Sequence, residues 1–167
     1  MKTIKALLLV LSICCLSLGC KKVSMPKPTQ TGANNMYAKV NGQPWQPKGC
    51  IGGCSQSFLI RYDQIKFSLT GGNIDQKIYI DIILSDLKTT GTYELSNQGS
   101  NYAYLYNNTE NVRYYTTSNS RGSINITKLD KMNKIISGTF EFTAEDEDNP
   151  QHIVNVSSGW FDGKYEF

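Results

Sequence analysis

The sequence predicts an all-β domain: an antiparallel sandwich or flattened barrel of about nine to eleven short strands. Three observations carry that expectation. Apolar residues recur with a period of two, turn-forming residues separate the runs, and no window shows helical periodicity. The 167 residues hold one histidine, with 17 basic and 14 acidic side chains. Charged residues at 19% and hydrophobic residues at 40% exclude disorder throughout.

The first segment, Met1 to Gly19, has the layout of a secretory leader. Lys2 and Lys5 supply a positive start, and Ala6 to Leu18 an apolar stretch too short for a permanent membrane helix. Removing it leaves 148 residues, the size of one domain, and lowers the formal charge from +3 to +1. A balance so near zero argues against a nucleic-acid partner, which calls for clustered Lys and Arg. The Gly19-Cys20 junction resembles a bacterial lipobox, so Cys20 is the expected lipidation site. Each buried acyl methylene contributes about 0.8 kcal/mol, and two chains give stable attachment. Lys21 stands where aspartate would signal inner-membrane retention, so the outer membrane is expected, on either face. Residues 20–35 then read as the acylated cysteine and a polar, proline-containing tether. A single domain follows over residues 36–167.

Within it, Phe58, Ile60 and Tyr62 alternate with Leu59 and Arg61, and Ile78, Ile80, Ile82 and Leu84 with Tyr79, Asp81 and Ile83. Asn41-Gly42, Gly71-Gly72-Asn73, Thr90-Gly91, Gln98-Gly99-Ser100 and Arg121-Gly122 mark turns. The clearest hairpin spans Ser123 to Glu145, reversing at Asp130 to Asn133, with Ile124 and Ile126 facing Phe140 and Phe142. The closing strand is expected to set Phe161, Tyr165 and Phe167 on one side and Asp162, Lys164 and Glu166 on the other. Trp45, Phe140, Phe142 and Phe161 are expected in the core, and Gly138 and Gly159 at crowded or bulged positions.

Few residues suggest chemistry. Cys50 and Cys54 stand four apart around Ile51-Gly52-Gly53, and outside the inner membrane they are expected to form a disulfide. Its small loop would contribute roughly 2 kcal/mol. Zinc is not expected, because only His152 could join the two thiols, and no cofactor is expected. His152 lies near Ser157 and Ser158, yet no Gly-x-Ser-x-Gly elbow exists. The acidic run Glu145 to Asp148 reads as a solvated turn, with Ca²⁺ binding as the alternative.

The best hint of binding is tyrosine. Tyr102, Tyr104 and Tyr106 share one face of a strand, Tyr114-Tyr115 follows a polar turn, and Tyr102, Tyr104, Tyr106 and Tyr114 are the candidate ligand-binding residues. Such rings, with Asn101, Asn107 and Asn108 nearby, suit a glycan or a protein ligand, or alternatively cross-strand packing.

The leader and Cys20, the opening Tyr37-Ala38-Lys39-Val40-Asn41-Gly42-Gln43-Pro44-Trp45, and the closing Gly122 to Asp130, Lys134 to Phe142 and Gly159-Trp160-Phe161 resemble small uncharacterised lipoproteins of Bacteroidota-type bacteria. The resemblance lies at both ends of the domain. It implies an envelope β-domain of unknown function and carries over no catalytic residue. The function expected is non-enzymatic binding or assembly by a lipid-anchored envelope protein. The alternatives are a glycan hydrolase using paired carboxylates among Asp81, Glu94 and Glu141, or a small integral outer-membrane β-barrel.

Overall fold

The computed structural model describes residues 26–49, 56–96 and 101–167. The expected lipidation site Cys20, the expected Cys50–Cys54 disulfide and the expected turn Gln98-Gly99-Ser100 lie outside them. Eleven strands form the domain, with no helix among the described residues: β1 (Asn35–Val40), β2 (Gln43–Trp45), β3 (Phe58–Tyr62), β4 (Phe67–Asn73), β5 (Ile78–Leu84), β6 (Gly91–Leu95), β7 (Tyr102–Asn107), β8 (Val112–Tyr115), β9 (Gly122–Asp130), β10 (Ile135–Asp146) and β11 (Ile153–Lys164). They make one strongly curled half-barrel sheet, ordered β2-β1-β11-β10-β8-β7-β5-β4-β3 and antiparallel throughout. A side wing, β6-β9, joins β10.

Local chemistry explains the turns. Val40 pairs with Gln43, leaving Asn41 and Gly42 as a two-residue loop, both with positive φ. That is the type I′ geometry, whose twist matches the strands it joins and which Asn-Gly favours. The β9–β10 reversal is held by Asp130, whose carboxylate accepts the N–H of Asn133 at 3.0 Å and its amide at 2.8 Å. Ile124 then stands directly opposite Phe140.

Curvature comes from irregular registers. β10 slips against β9 between Ser137 and Gly138, and against β11 between Phe140 and Phe142. Such bulges bend a strand and increase its twist. Crowding at the bends requires glycine. A Cβ on Gly138 would lie 2.4 Å from the Asn125 carbonyl oxygen, and one on Gly159 2.5 Å from the Phe140 ring. Two short parallel bridges draw the ends of the sheet together: Lys48 with Asn73, and Arg61 with Glu166.

The hollow of the sheet is filled by one apolar cluster, to which every strand contributes its inward positions. Trp45, Tyr62, Phe67 and Phe161 are each only 1% exposed. Phe67 of β4 meets Phe161 of β11 across the core at 5.9 Å between ring centroids.

The outer face of β10 and β11 has a cover of its own. Asp162 points away from the core, as alternation requires, yet it is 0% exposed. Residues 29–33, within the stretch expected as tether, lie over it. Its carboxylate accepts hydrogen bonds from Thr29 Oγ1 at 2.6 Å, from the N–H groups of Thr31, Gly32 and Ala33 at 2.9, 2.8 and 3.2 Å, and from Ser137 Oγ at 2.8 Å. Burial by itself pushes this carboxyl up; the hydrogen bonds outweigh it and hold the pKa at about 2. Asp162 does lie on the side opposite Phe161, as alternation led one to expect; its burial there comes from the covering segment. Phe167, expected on the side of Tyr165, packs edge-on against that ring at 6.1 Å between centroids; it is 69% exposed, past the end of β11, with Lys134 Nζ 4.1 Å from its ring centroid.

A carboxyl depressed from its unfolded value near 4 to about 2 stabilises the fold above that unfolded value and loses the contribution as pH falls towards 2. The shift corresponds to about 2 kcal/mol. Asp162→Asn is therefore expected to lower unfolding free energy by about that amount at pH 7, and to remove the native protein's extra loss between pH 4 and pH 2. Urea melts of both proteins at these pH values measure it; equal acid sensitivity would contradict the role of the carboxylate.

Candidate functional site

Alternation divides the strands β4, β5, β7 and β8 into two sets of side chains. Phe67, Leu69, Ile80, Ile82, Leu84, Ala103, Leu105 and Tyr114 turn inward and are buried. Thr70, Tyr79, Asp81, Tyr102, Tyr104, Tyr106, Arg113 and Tyr115 turn outward, and of these Arg113 is exposed and the others half-buried. The sequence left two arrangements open for Tyr102, Tyr104 and Tyr106: exposed around a groove, or packed against an opposing layer. All three face outward.

Register arranges this face in rows. Gly72, Tyr79, Tyr106 and Arg113 stand side by side across β4, β5, β7 and β8, and Thr70, Asp81, Tyr104 and Tyr115 form the adjacent row. Tyr79 and Tyr106 stack at 6.0 Å with 24° between planes, while Tyr104 and Tyr115 lie 5.5 Å apart at 31°. The Arg113 guanidinium carbon sits 5.4 Å from the Tyr106 centroid, within cation–π range. The Tyr106 hydroxyl shares its proton between the side-chain carbonyls of Asn108 and Asn111, at 3.0 and 2.9 Å. These residues bound a groove of about 480 Å³, lined by Thr70, Tyr79, Asp81, Tyr104, Tyr106, Asn108 and Arg113.

Asp81 is the polar centre of the groove. It accepts a hydrogen bond from Thr70 Oγ1 at 2.5 Å, and Tyr104 is its second hydrogen-bond partner. Burial pushes its carboxyl up from the ordinary aspartate value, against the pull of those two bonds. Burial and the neighbouring Asp81 likewise push the Tyr104 phenol well up, so it stays protonated near neutral pH. The groove thus presents flat ring faces, a carboxyl, a hydroxyl, an amide and one guanidinium.

The other candidates separate from it. Tyr114 does not join the tyrosine face: it is 4% exposed on the inner side, because its neighbour Tyr115 takes the outward position. Its hydroxyl lies 3.3 Å from His152 Nδ1, and the His152 ring is 3.5 Å from Asp146 Oδ2, so that histidine rests on a tyrosine and an acid rather than on a serine. Asn101 and Asn107 secure backbone instead: Asn101 accepts from Ser85 N, and Asn107 from Thr109 N. In the acidic turn, Glu145 binds the hydroxyls of Thr117 and Ser120 at 3.0 and 2.7 Å, whereas Asp146 accepts the Asp148 N–H. Among the described residues, no three His, Cys, Asp or Glu converge as a metal site would require. Asp81, Glu94 and Glu141 are likewise dispersed. Asp81 lies in the tyrosine groove, Glu94 pairs with Arg121 at 2.8 Å, and Glu141 lines shallow grooves over β9–β11 without either of the others.

Removing the hydroxyl beside Asp81 tests the electrostatics of the groove. Because that bond favours the carboxylate, Tyr104→Phe is expected to raise the Asp81 pKa further. A ¹³C-carboxyl NMR titration of both proteins checks this; an unmoved midpoint would show that the bond is not formed in solution.

Neither the curated proteins nor the solved structures include a significant match to the chain. One family model does match, over residues 55–163, most of the domain and including the middle that the likeness of the two ends left out. The chain therefore belongs to the family described as a domain of unknown function, DUF6252.

Proposed function

We propose that the chain is a lipid-anchored cell-envelope protein of the outer membrane whose domain binds glycans on the tyrosine face. The observation that carries this reading is the groove itself: stacked, outward Tyr79 and Tyr106 beside Asp81, Thr70 and Asn108. Cross-strand packing accounts for ring–ring contact. It does not account for a carboxyl, a hydroxyl, an amide and a guanidinium gathered around the same rings. A pyranose offers what such a groove can take, an apolar ring face to lie on tyrosine and hydroxyls to meet Asp81 and Asn108.

The sheet argues for a sugar over an extended peptide. A peptide adding itself as a strand needs a free edge. β4, β5, β7 and β8 are each paired on both sides, so their main-chain groups are committed. Recognition here falls to side chains.

Two further features fit an anchored domain. Because Phe67 packs on Phe161 across the core, the outer faces of β4 and β11 point away from each other. The N-terminal segment crosses the β10–β11 side through Asp162, leaving the tyrosine face on the far side from the chain's entry. Only eight residues separate Cys20 from Thr29, a reach of about 30 Å when extended. An acylated Cys20 would hold the domain close to the membrane with its groove turned outward. The apolar cluster fills the inside of the sheet and polar residues stand on this outside face, the reverse of a lipid-facing barrel band.

The full chain, purified in detergent and applied to an array of immobilised oligosaccharides, tests the reading. Binding is expected, and Tyr79→Ala and Tyr106→Ala are each expected to weaken it about fivefold or more with the melting temperature little changed. Binding untouched by both substitutions, or no glycan binding, would overturn it. Intact mass measurement of the membrane-extracted chain is expected to begin at a diacylated or triacylated Cys20.

A further inference from the structure

Resting on that reading, we infer that the groove selects glycans carrying an acidic group, a carboxylate or a sulfate, and that Arg113 is the residue that selects them. Arg113 stands at the end of the row Gly72–Tyr79–Tyr106–Arg113, on β8, with its guanidinium over the outer tyrosine. It is exposed and lines the groove. The carboxylates near it are otherwise engaged. Among the described residues the ion pairs are Lys48–Asp75, Lys88–Asp86, Arg121–Glu94, Lys128–Asp130 and His152–Asp146, and Arg113 belongs to none of them. Glu147 donates its backbone N–H to the Arg113 carbonyl, but its carboxylate is not in ion-pair range. Asp81 shares the groove and is held by Thr70 and Tyr104 in the neighbouring row. Glu145, beside Tyr115, is bound by two hydroxyls, and Glu110 lies 3.4 Å from the Tyr114 hydroxyl on the inner side.

The guanidinium is therefore oriented by an aromatic face, which leaves its N–H fork for a ligand. Tyrosine stacking holds an arginine plane with less loss of side-chain freedom on binding than a mobile cation suffers. The fork matches two oxygens of one anionic group, and charge-assisted bonds of this kind are shorter and stronger than those between neutral partners. A pyranose lying on Tyr79 and Tyr106 would present a ring substituent at the Arg113 end and hydroxyls at the Asp81 end. A neutral sugar would leave the fork without a partner of equal strength, and that difference is the source of selection.

The test uses the full chain in detergent on an array of paired oligosaccharides: oligogalacturonides against their methyl esters, and sulfated galactans against their desulfated forms. The acidic member of at least one pair is expected to bind about tenfold or more tightly than its neutral counterpart. Arg113→Met is expected to abolish that ratio, the acidic member losing its advantage over its neutral counterpart, with the melting temperature unchanged. Arg113→Lys is expected to recover part of it, since the charge remains and the fork is lost. Added salt should shrink the ratio, because the cation is exposed. The carboxylate and sulfate arms decide which acid is taken. Binding with no acidic preference, or a preference that survives Arg113→Met, overturns this inference and leaves the glycan reading standing. No binding by any member overturns both.

Discussion

The structure depends on one constraint: each strand has two faces, and the core can consume only one of them. The inward set, from Met36 and Ala38 of β1 to Val154, Val156 and Phe161 of β11, packs into a single cluster. A one-residue slip in any register would exchange that set for the outward one, so apolar packing fixes the outward positions as firmly as the inward ones. The tyrosine face follows from this. Tyr79 is outward because Ile78 and Ile80 are inward, and Tyr104 because Ala103 and Leu105 are. A site on such strands is rigid because the scaffold that positions it is the core itself.

Asp162 shows the same constraint handled differently. Its outward position would ordinarily face water, yet the chain lays residues 29–33 across it, and these with Ser137 give the carboxylate six donors. Half of the donors are backbone N–H groups of an irregular segment that lacks a strand to bond to. The buried group is the carboxylate, which must find partners, and it takes three of them from that segment's backbone. The N-terminal segment is thereby attached to the domain on the side away from the tyrosines.

Much of the architecture was legible because it is written in local chemistry. Asn41-Gly42 specifies its turn, the β9–β10 hairpin closes on Asp130, and the alternation of β5 and β10 names the buried residues. The burial of Asp162 was not legible, since it depends on two segments about 130 residues apart. Nor was the composition of the site. Tyr102, Tyr104 and Tyr106 were visible as a stripe, but Tyr79 and Arg113 join them only because β5 pairs with β7 while β6 leaves to pair with β9. Alternation already placed Tyr79 outward; which strand would lie beside it is a property of the whole sheet. The same alternation separates Tyr114 from Tyr115, and sequence reading chose the inward member of that pair.

The outward tyrosines are proposed as a ligand surface distinct from the inward ones. Ring-selective ¹³C labelling of tyrosine, followed by heteronuclear NMR during titration with a mixed library of neutral and acidic oligosaccharides, tests it most directly. The ring signals of Tyr79, Tyr104, Tyr106 and Tyr115 are expected to move while those of Tyr62, Tyr114 and Tyr165 stay fixed. Movement confined to the buried rings, or no movement in either set, would contradict it.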